Sequence, residues 1–148
     1  MTTSAPPTRH VTIRCQWCEA WNKVSVDRFG DRPKCGSCAK PMLLDRPLKL
    51  NDETFARTIA ESEIPVVVDF HADWCGPCKA MAPVVDEAAR ELSGQVLLAK
   101  LDTDRAPATS QRLQVRNIPT VIRFAAGAEM ERLSGAMPLA ALKAFALG

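Results

Sequence analysis

The sequence has no long apolar run. None of its 148 residues lies in a stretch as long as the roughly 18 apolar residues that a membrane-spanning helix needs. Residues 1–10 also contain no apolar segment of the kind that a secretory signal requires. We therefore expect no membrane partner, and we expect a cytoplasmic protein whose thiols stay reduced.

Neither sign of charge is in large excess. The formal net charge is +2, and residues 1–47 carry eight Lys or Arg against four Asp or Glu. A basic excess this small is compatible with a nucleic-acid contact but does not predict one, so we expect no nucleic-acid partner. The length fits one domain of about 100 residues with a small appendage, and the composition is that of a soluble globular protein.

The sequence has no isolated cysteine, because every cysteine belongs to a Cys-x-x-Cys pair. The six cysteines form three Cys-x-x-Cys pairs, which are Cys15/Cys18, Cys35/Cys38 and Cys75/Cys78. Sixteen residues separate the first two pairs, which is the spacing of a four-thiolate zinc site. We therefore predict that the first four cysteines bind one structural zinc ion. The metal would supply about 10–16 kcal/mol of folding energy to a segment too short to fold by itself.

Other interpretations of these four cysteines remain open. Two structural disulfides would also use them, although a reducing compartment disfavours that pairing. A four-thiolate iron site fits the same spacing. A redox-sensing role, in which oxidation expels the metal, is a further hypothesis that depends on the nearby third pair.

The composition suggests three segments. Residues 1–10 are rich in Thr, Ser and Pro, and we predict a disordered N-terminal tail there. Residues 11–46 form the predicted zinc-binding domain. Pro47 restricts Arg46 to extended angles and marks the start of the second domain, which is predicted to span residues 47–148.

The second domain shows an alternation of strand and helix patterns that predicts an α/β fold. The predicted strands are Leu48–Leu50, Val66–His71, Val96–Leu101, Thr120–Phe124 and Met130–Leu133. The predicted helices are Thr54–Ser62 capped by Asn51 or Asp52, a long helix from Cys75 to Gly94, a short one capped by Thr103 or Asp104, and a last one with Pro138 at its first position. This order predicts a mixed sheet with helices on both faces.

The third cysteine pair follows the most apolar strand. The segment Trp74-Cys75-Gly76-Pro77-Cys78 places a dithiol at the start of the long helix. Backbone donors and the helix dipole favour an anion at such a helix end, and the thiolate is the reactive form of cysteine. The motif therefore predicts a thiol–disulfide redox pair in which Cys75 attacks and Cys78 resolves.

The residues that flank this pair extend the pattern. They are Asp69, Trp74-Cys75-Gly76-Pro77-Cys78-Lys79, Pro83, Lys100, Ile118-Pro119-Thr120, Gly127 and Gly135. Together they resemble the thioredoxin family across residues 48–148, and the four-cysteine front segment resembles the extension of the bacterial thioredoxin 2 class. The resemblance implies a thioredoxin fold preceded by a small zinc-ribbon-like domain.

The resemblance also implies an activity, which is the reduction of disulfides in protein substrates by dithiol–disulfide exchange. In the family, a buried carboxylate at the position of Asp69 shuttles a proton, and its partner stands at the position of Lys100. The bond at the position of Ile118–Pro119 is cis in the family. The implied docking surface contains Trp74, Gly76, Pro77, Ile118, Pro119 and Gly135. The implied electron donor is an NADPH-dependent thioredoxin reductase, and we expect a monomer.

Several alternatives remain at this stage. Asp69 could be a strand-end acid that contacts solvent. His71 stands where the family usually has Trp, so it could be a substitute packing group or a group that tunes ionisation at the site. The whole chain could also be a non-catalytic interaction module that uses either domain to dock a partner protein.

Overall fold

The N-terminal part of the chain is a small two-stranded ribbon. The computed structural model describes residues 8–148. Strand β1 (His10–Arg14) pairs antiparallel with β2 (Trp21–Ser25), and a 3-10 helix follows over Val26–Asp31. Residues 1–7 of the predicted disordered tail lie outside the described residues, whereas His10 already belongs to β1.

A mixed sheet forms the larger part of the molecule. Its strands are β3 (Leu48–Leu50), β4 (Val66–His71), β5 (Leu97–Asp102), β6 (Thr120–Ala125) and β7 (Ala128–Ser134). The order across the sheet is β3-β5-β4-β6-β7, with β3, β5 and β4 parallel and the last two strands antiparallel to their neighbours. Strand β4 is therefore central, as its nearly continuous apolar run predicts.

Helices cover both faces of this sheet, which confirms the α/β prediction. They are α1 (Phe55–Ala60), α2 (Gly76–Glu91), α3 (Pro107–Arg112) and α4 (Leu139–Leu147). Met81 and Val85 of α2 pack with Leu142 of α4 against one face. Phe55 and Ile59 of α1 belong to the core on the other face.

The start of α3 differs from the sequence prediction. Helix α3 is not capped by Thr103 or Asp104; it begins at Pro107, and the N–H groups of Ala108 and Thr109 donate to Asp52 at 3.2 and 2.8 Å. A carboxylate distant in sequence therefore satisfies the free amides of this helix.

Helix α4 begins one residue later than predicted. Pro138 is its extended N-cap, with ψ 164°, and its carbonyl accepts from the N–H of Leu142 at 3.1 Å. The proline therefore precedes the first helical residue instead of occupying it.

The hairpin between β6 and β7 has a two-residue loop of Ala126 and Gly127. Both residues have positive φ, 50° and 82°, as a type I′ turn requires. A Cβ at Gly127 would lie 3.3 Å from Cα of Ala60, so α1 packs closely on this turn. Glycine is needed here for both its conformation and its size.

The ribbon packs against α1, an arrangement that the sequence left open. Val11 and Ile13 of β1 share one apolar core with Phe55 and Ile59. The N–H of Glu63 donates to the carbonyl of His10 at 2.9 Å, which extends the contact beyond the helix.

Charged groups border the same interface. Arg14 of β1 forms an ion pair with Glu53 at 2.9 Å, and the guanidinium of Arg57 lies 4.6 Å from the ring centroid of Trp21. The ribbon and the sheet domain are thus joined by a shared core and by polar contacts at its edge.

Candidate active site and metal centre

Cys75 and Cys78 lie where β4 leads into α2. They form a disulfide with 5.2 Å between their Cα atoms. Cys75 is the extended N-cap of α2, and its Sγ accepts from the N–H of Cys78 at 3.2 Å. Gly76 and Pro77 occupy the first helical positions. The N–H groups there have no acceptor within the helix, so the helix loses no hydrogen bond because proline lacks one. A helix end with free N–H groups thus faces the sulfur of Cys75.

The loop before β6 covers the dithiol. The Ile118–Pro119 bond is cis, as the family resemblance implied, and the carbonyl oxygen of Ile118 lies 3.9 Å from Sγ of Cys75. The N–H of Gly135 donates to the carbonyl of Pro119 at 2.8 Å. Cys75 itself is only 4% exposed, and Ile118 packs against it.

Trp74 is the prominent exposed side chain beside the dithiol, with 71% of its surface accessible. Its indole Nε1–H donates to Oδ2 of Asp104 at 2.9 Å. Sequence reasoning missed Asp104 in this role because it also fits a helix cap. The hydrogen bond holds the aromatic ring at the surface instead of in the core.

Asp69 lies in the middle of β4 and is 1% exposed, so the alternative of a solvent-contacting acid is wrong. Its Oδ1 has no hydrogen-bond partner in the described part of the chain. Burial raises the pKa of this carboxyl to about 6, while the charge of Lys100 acts in the opposite direction. A cavity of about 310 Å³ is lined by Asp69, Lys100 and Cys78 together.

His71 lines the same cavity and is half-buried. Burial lowers its pKa below the ordinary value, and the nearby charge of Lys100 lowers it further. Asp102 and Asp73 oppose these effects. The imidazole is therefore neutral at neutral pH and gains its charge only in acid.

The four cysteines of the ribbon come together, as their spacing predicts. The Sγ atoms of Cys15 and Cys38 are 3.7 Å apart, those of Cys18 and Cys35 are 3.5 Å apart, and all four lie within 4.8 Å of one another. A tetrahedral zinc ion with Zn–S bonds of about 2.3 Å requires sulfur separations of about 3.8 Å. The donor set and its spacing thus fit zinc.

The two Cys-x-x-Cys turns have the same backbone form. The residue after each second cysteine, Glu19 and Ala39, has positive φ of 66° and 62°. In each turn its N–H donates to the carbonyl of the first cysteine, Cys15 or Cys35, at 2.9 Å. Hydrogen bonds led by the N–H of Cys38, with Asn22 next, lower the pKa of the Cys35 thiol, whereas, despite a hydrogen bond from Ala20, burial and the neighbouring sulfurs raise the pKa of the Cys18 thiol.

Asn22 is a second residue that sequence reasoning missed. Its Nδ2 lies 3.4 Å from Sγ of Cys35. The sequence gives only a weak signal for it, since Asn is depleted in strands and the strand around Asn22 is known only from the structure.

Comparison with known proteins places these features in a family. The Thioredoxin family model matches residues 46–147, and the zinc-ribbon model described as Thioredoxin 2, N-terminal, matches residues 14–40. Thioredoxin C-3 of Corynebacterium nephridii is 38% identical over 125 residues, covering 84% of this chain and 86% of that protein.

Other relatives match a shorter part of the chain. The M-type chloroplastic thioredoxin of Spinacia oleracea is 47% identical over 93 residues, covering 63% of this chain and 51% of that protein. The solved structure of a mutant thioredoxin from Halobacterium salinarum NRC-1 superposes with a TM-score of 0.64 at 34% identity, covering 70% of this chain and 89% of that one.

The fold and the dithiol define a thiol–disulfide oxidoreductase. The chain belongs to the thioredoxin family and carries an N-terminal zinc-ribbon domain of the thioredoxin 2 type. Within residues 8–148, no helix is both long and apolar enough to cross a membrane.

Proposed function

We propose that this protein is a cytoplasmic protein-disulfide reductase that works through Cys75 and Cys78. The observation that carries the proposal is the Cys75–Cys78 pair at the N-terminus of α2, with the buried carboxyl of Asp69 in the cavity behind it. The four ribbon cysteines can bind a metal only as thiolates, and a reducing compartment such as the cytoplasm preserves them in that form.

The first step is attack by Cys75. In the reduced protein its thiolate, stabilised by the N–H of Cys78 and the helix end, attacks one sulfur of a substrate disulfide. A bond forms between Cys75 and that sulfur while the substrate S–S bond breaks. The second substrate sulfur leaves as a thiolate and takes up a proton.

The second step is resolution by Cys78. Asp69 accepts the proton of the Cys78 thiol, directly or through a water in the shared cavity. The Cys78 thiolate then attacks Cys75, the Cys75–Cys78 disulfide forms, and the first substrate sulfur leaves reduced. Two electrons have passed to the substrate. Lys100 lowers the cost of the carboxylate form of Asp69.

The substrate surface surrounds the dithiol. We assign it to Trp74, Gly76, Pro77, Ile118, Pro119 and Gly135. An extended segment of a disulfide-containing protein would pair with the backbone of Ile118, as in strand addition. The oxidised protein would be reduced again by an NADPH-dependent thioredoxin reductase, and we propose that it acts as a monomer.

The ribbon cysteines Cys15, Cys18, Cys35 and Cys38 are proposed to hold one zinc ion with a structural role. A redox-sensing role is the sharper hypothesis, in which an oxidant converts the thiolates and releases the metal. If peroxide treatment released no zinc and left the reductase activity unchanged, the sensing hypothesis would be wrong.

Insulin reduction by dithiothreitol tests the reductase. The native protein should accelerate the reaction, and Cys75→Ser should leave only the uncatalysed rate. A protein that merely docks a partner would give the uncatalysed rate in both cases.

Asp69→Asn should slow resolution of the mixed disulfide, and unchanged turnover between pH 6 and 8 would contradict the role given to Asp69.

A further inference from the structure

Asn22 connects the two cysteine turns of the ribbon. It lies on β2 and is half-buried. Its Nδ2 amide is 3.4 Å from Sγ of Cys35 and donates to the carbonyl of Ala20 at 3.2 Å. Its Oδ1 accepts from the N–H of Gly36 at 2.9 Å. One side chain on the strand after the first turn therefore holds both the sulfur and the backbone of the second turn.

We propose that Asn22 is a positioning residue of the metal centre, and that its N–H···S bond to Cys35 slows the loss of zinc. The inference rests on the proposed occupancy of the four cysteines by zinc. Partners of metal ligands orient them, and loss of such a partner typically weakens metal binding by about 10–100-fold.

The hydrogen bonds at the four sulfurs are unequal. Cys15 accepts from the N–H of Trp17 at 3.4 Å, and Cys35 accepts from the N–H of Ser37 at 3.4 Å. Among the described residues, Cys35 is the ribbon cysteine whose sulfur also receives a side-chain N–H. Cys18, by contrast, is exposed. A thiolate with an added donor is a weaker proton acceptor and a poorer target for an oxidant, so Cys35 should be the last ligand to leave.

The chemistry of the position specifies an amide. A donor is needed toward the sulfur of Cys35 and an acceptor toward the N–H of Gly36, and an uncharged Asn supplies both. Aspartate has nearly the same shape but keeps only the acceptor, and it adds a negative charge beside four thiolates. Asn22→Asp therefore keeps the acceptor toward Gly36 while it removes the donor and adds a charge, and Asn22→Ala removes donor and acceptor without adding a charge.

The experiment uses the zinc-loaded full chain and follows zinc transfer to a colorimetric chelator. Asn22→Ala and Asn22→Asp should both release zinc at least about ten-fold faster than the native protein. Lys23→Ala, on the same strand and exposed, is the matched control and should release zinc at the native rate. The zinc content of the native protein is measured first, so an absence of zinc there would contradict the proposed metal site itself.

A second readout reports the N–H···S bond directly. With Co²⁺ in place of zinc, the sulfur-to-cobalt charge-transfer bands should shift in Asn22→Asp and remain unchanged in Lys23→Ala. If Asn22→Asp released zinc at the native rate with unshifted bands, the donor role would be wrong while the reductase proposal stood. If Asn22→Ala did not fold, a native rate of zinc release in Asn22→Asp would still contradict the proposal.

Discussion

Asp69 and Lys100 are register partners on the adjacent parallel strands β4 and β5, yet no ion pair joins their side chains. Both line the cavity that extends to Cys78. Lys100 therefore moderates the pKa of the carboxyl by its charge without neutralising it, and burial remains the larger effect. This leaves Asp69 as a proton acceptor whose pKa of about 6 lies near physiological pH.

The first prediction concerns the stability cost of this arrangement. The pKa of Asp69 is about 6 in the folded protein and about 3.9 in an unfolded chain. Between these values the folded state binds more protons, so the free energy of unfolding falls as pH rises from about 4 to 6. Asp69→Asn has no carboxyl group to titrate at this position, so its free energy of unfolding does not fall in this way. Its stability advantage over the native protein should be about 2 kcal/mol larger at pH 7 than at pH 4.

Urea unfolding of the oxidised proteins at several pH values measures this difference. The ribbon loses its thiolates in acid in both proteins, so that effect cancels in the comparison. A stability difference that did not change with pH would mean that Asp69 titrates normally.

The second prediction separates the two cysteines. Cys78→Ser retains the attacking thiol but cannot resolve, so it should accumulate a mixed disulfide with an oxidised protein substrate. Cys75→Ser should accumulate none, because Cys78 lies within α2 and lines the cavity of Asp69, whereas Cys75 is the N-cap of the helix. Mass spectrometry of non-reduced samples detects the adduct. Equal adduct in the two variants would contradict the assignment of Cys75 as the attacking residue.

The third prediction concerns His71. Burial and the charge of Lys100 lower its pKa, so above pH 7 the imidazole carries no charge that could act on the site. In acid it becomes positive on the face that it shares with Asp69, which favours the carboxylate. The profiles of rate against pH for native protein and His71→Trp should coincide above pH 7. Below pH 7, the rate of His71→Trp should begin to fall at a higher pH than the rate of the native protein.

Stopped-flow measurement of mixed-disulfide resolution gives these profiles. Curves that superimpose over the whole range would show that His71 is only a packing group.

The fourth prediction concerns the metal and the sheet domain. Because Ile13 and Phe55 belong to one core, removal of zinc should loosen the packing around α1 as well as the ribbon. The zinc-loaded chain should unfold in a single calorimetric transition, and a strong chelator should lower its melting temperature.

Trp21→Ala, which removes the stacking partner of Arg57, should lower stability by about 1 kcal/mol without loss of zinc. A main transition that did not respond to the chelator would show that the ribbon is merely tethered.

Local patterns predicted much of this structure. The strand Val66–His71 was predicted with its observed bounds, because Pro65 precedes a run of apolar residues and the cysteine motif follows it. The mixed sheet with helices on both faces was confirmed. The four ribbon sulfurs also converge as predicted, since two-residue spacings aim paired thiols at one point.

Contacts between residues distant in sequence could not be predicted. Asp52 lies next to α1 in sequence but caps α3, and Asp104 precedes α3 but binds the indole of Trp74. Each acid carries the sequence signal of a local cap, and only the packed fold shows which donor it meets. The docking of the ribbon on α1 was open for the same reason.

Thiols and zinc counted in one sample show whether a single cysteine pair cycles while the other four bind a metal. We expect one zinc per chain and two thiols that react under native conditions after reduction and disappear on oxidation. The remaining four should become reactive only after the metal is removed. Six thiols that cycle together in a zinc-free protein, or a pair at Cys75 and Cys78 that stays inert toward oxidised proteins, would contradict this expectation.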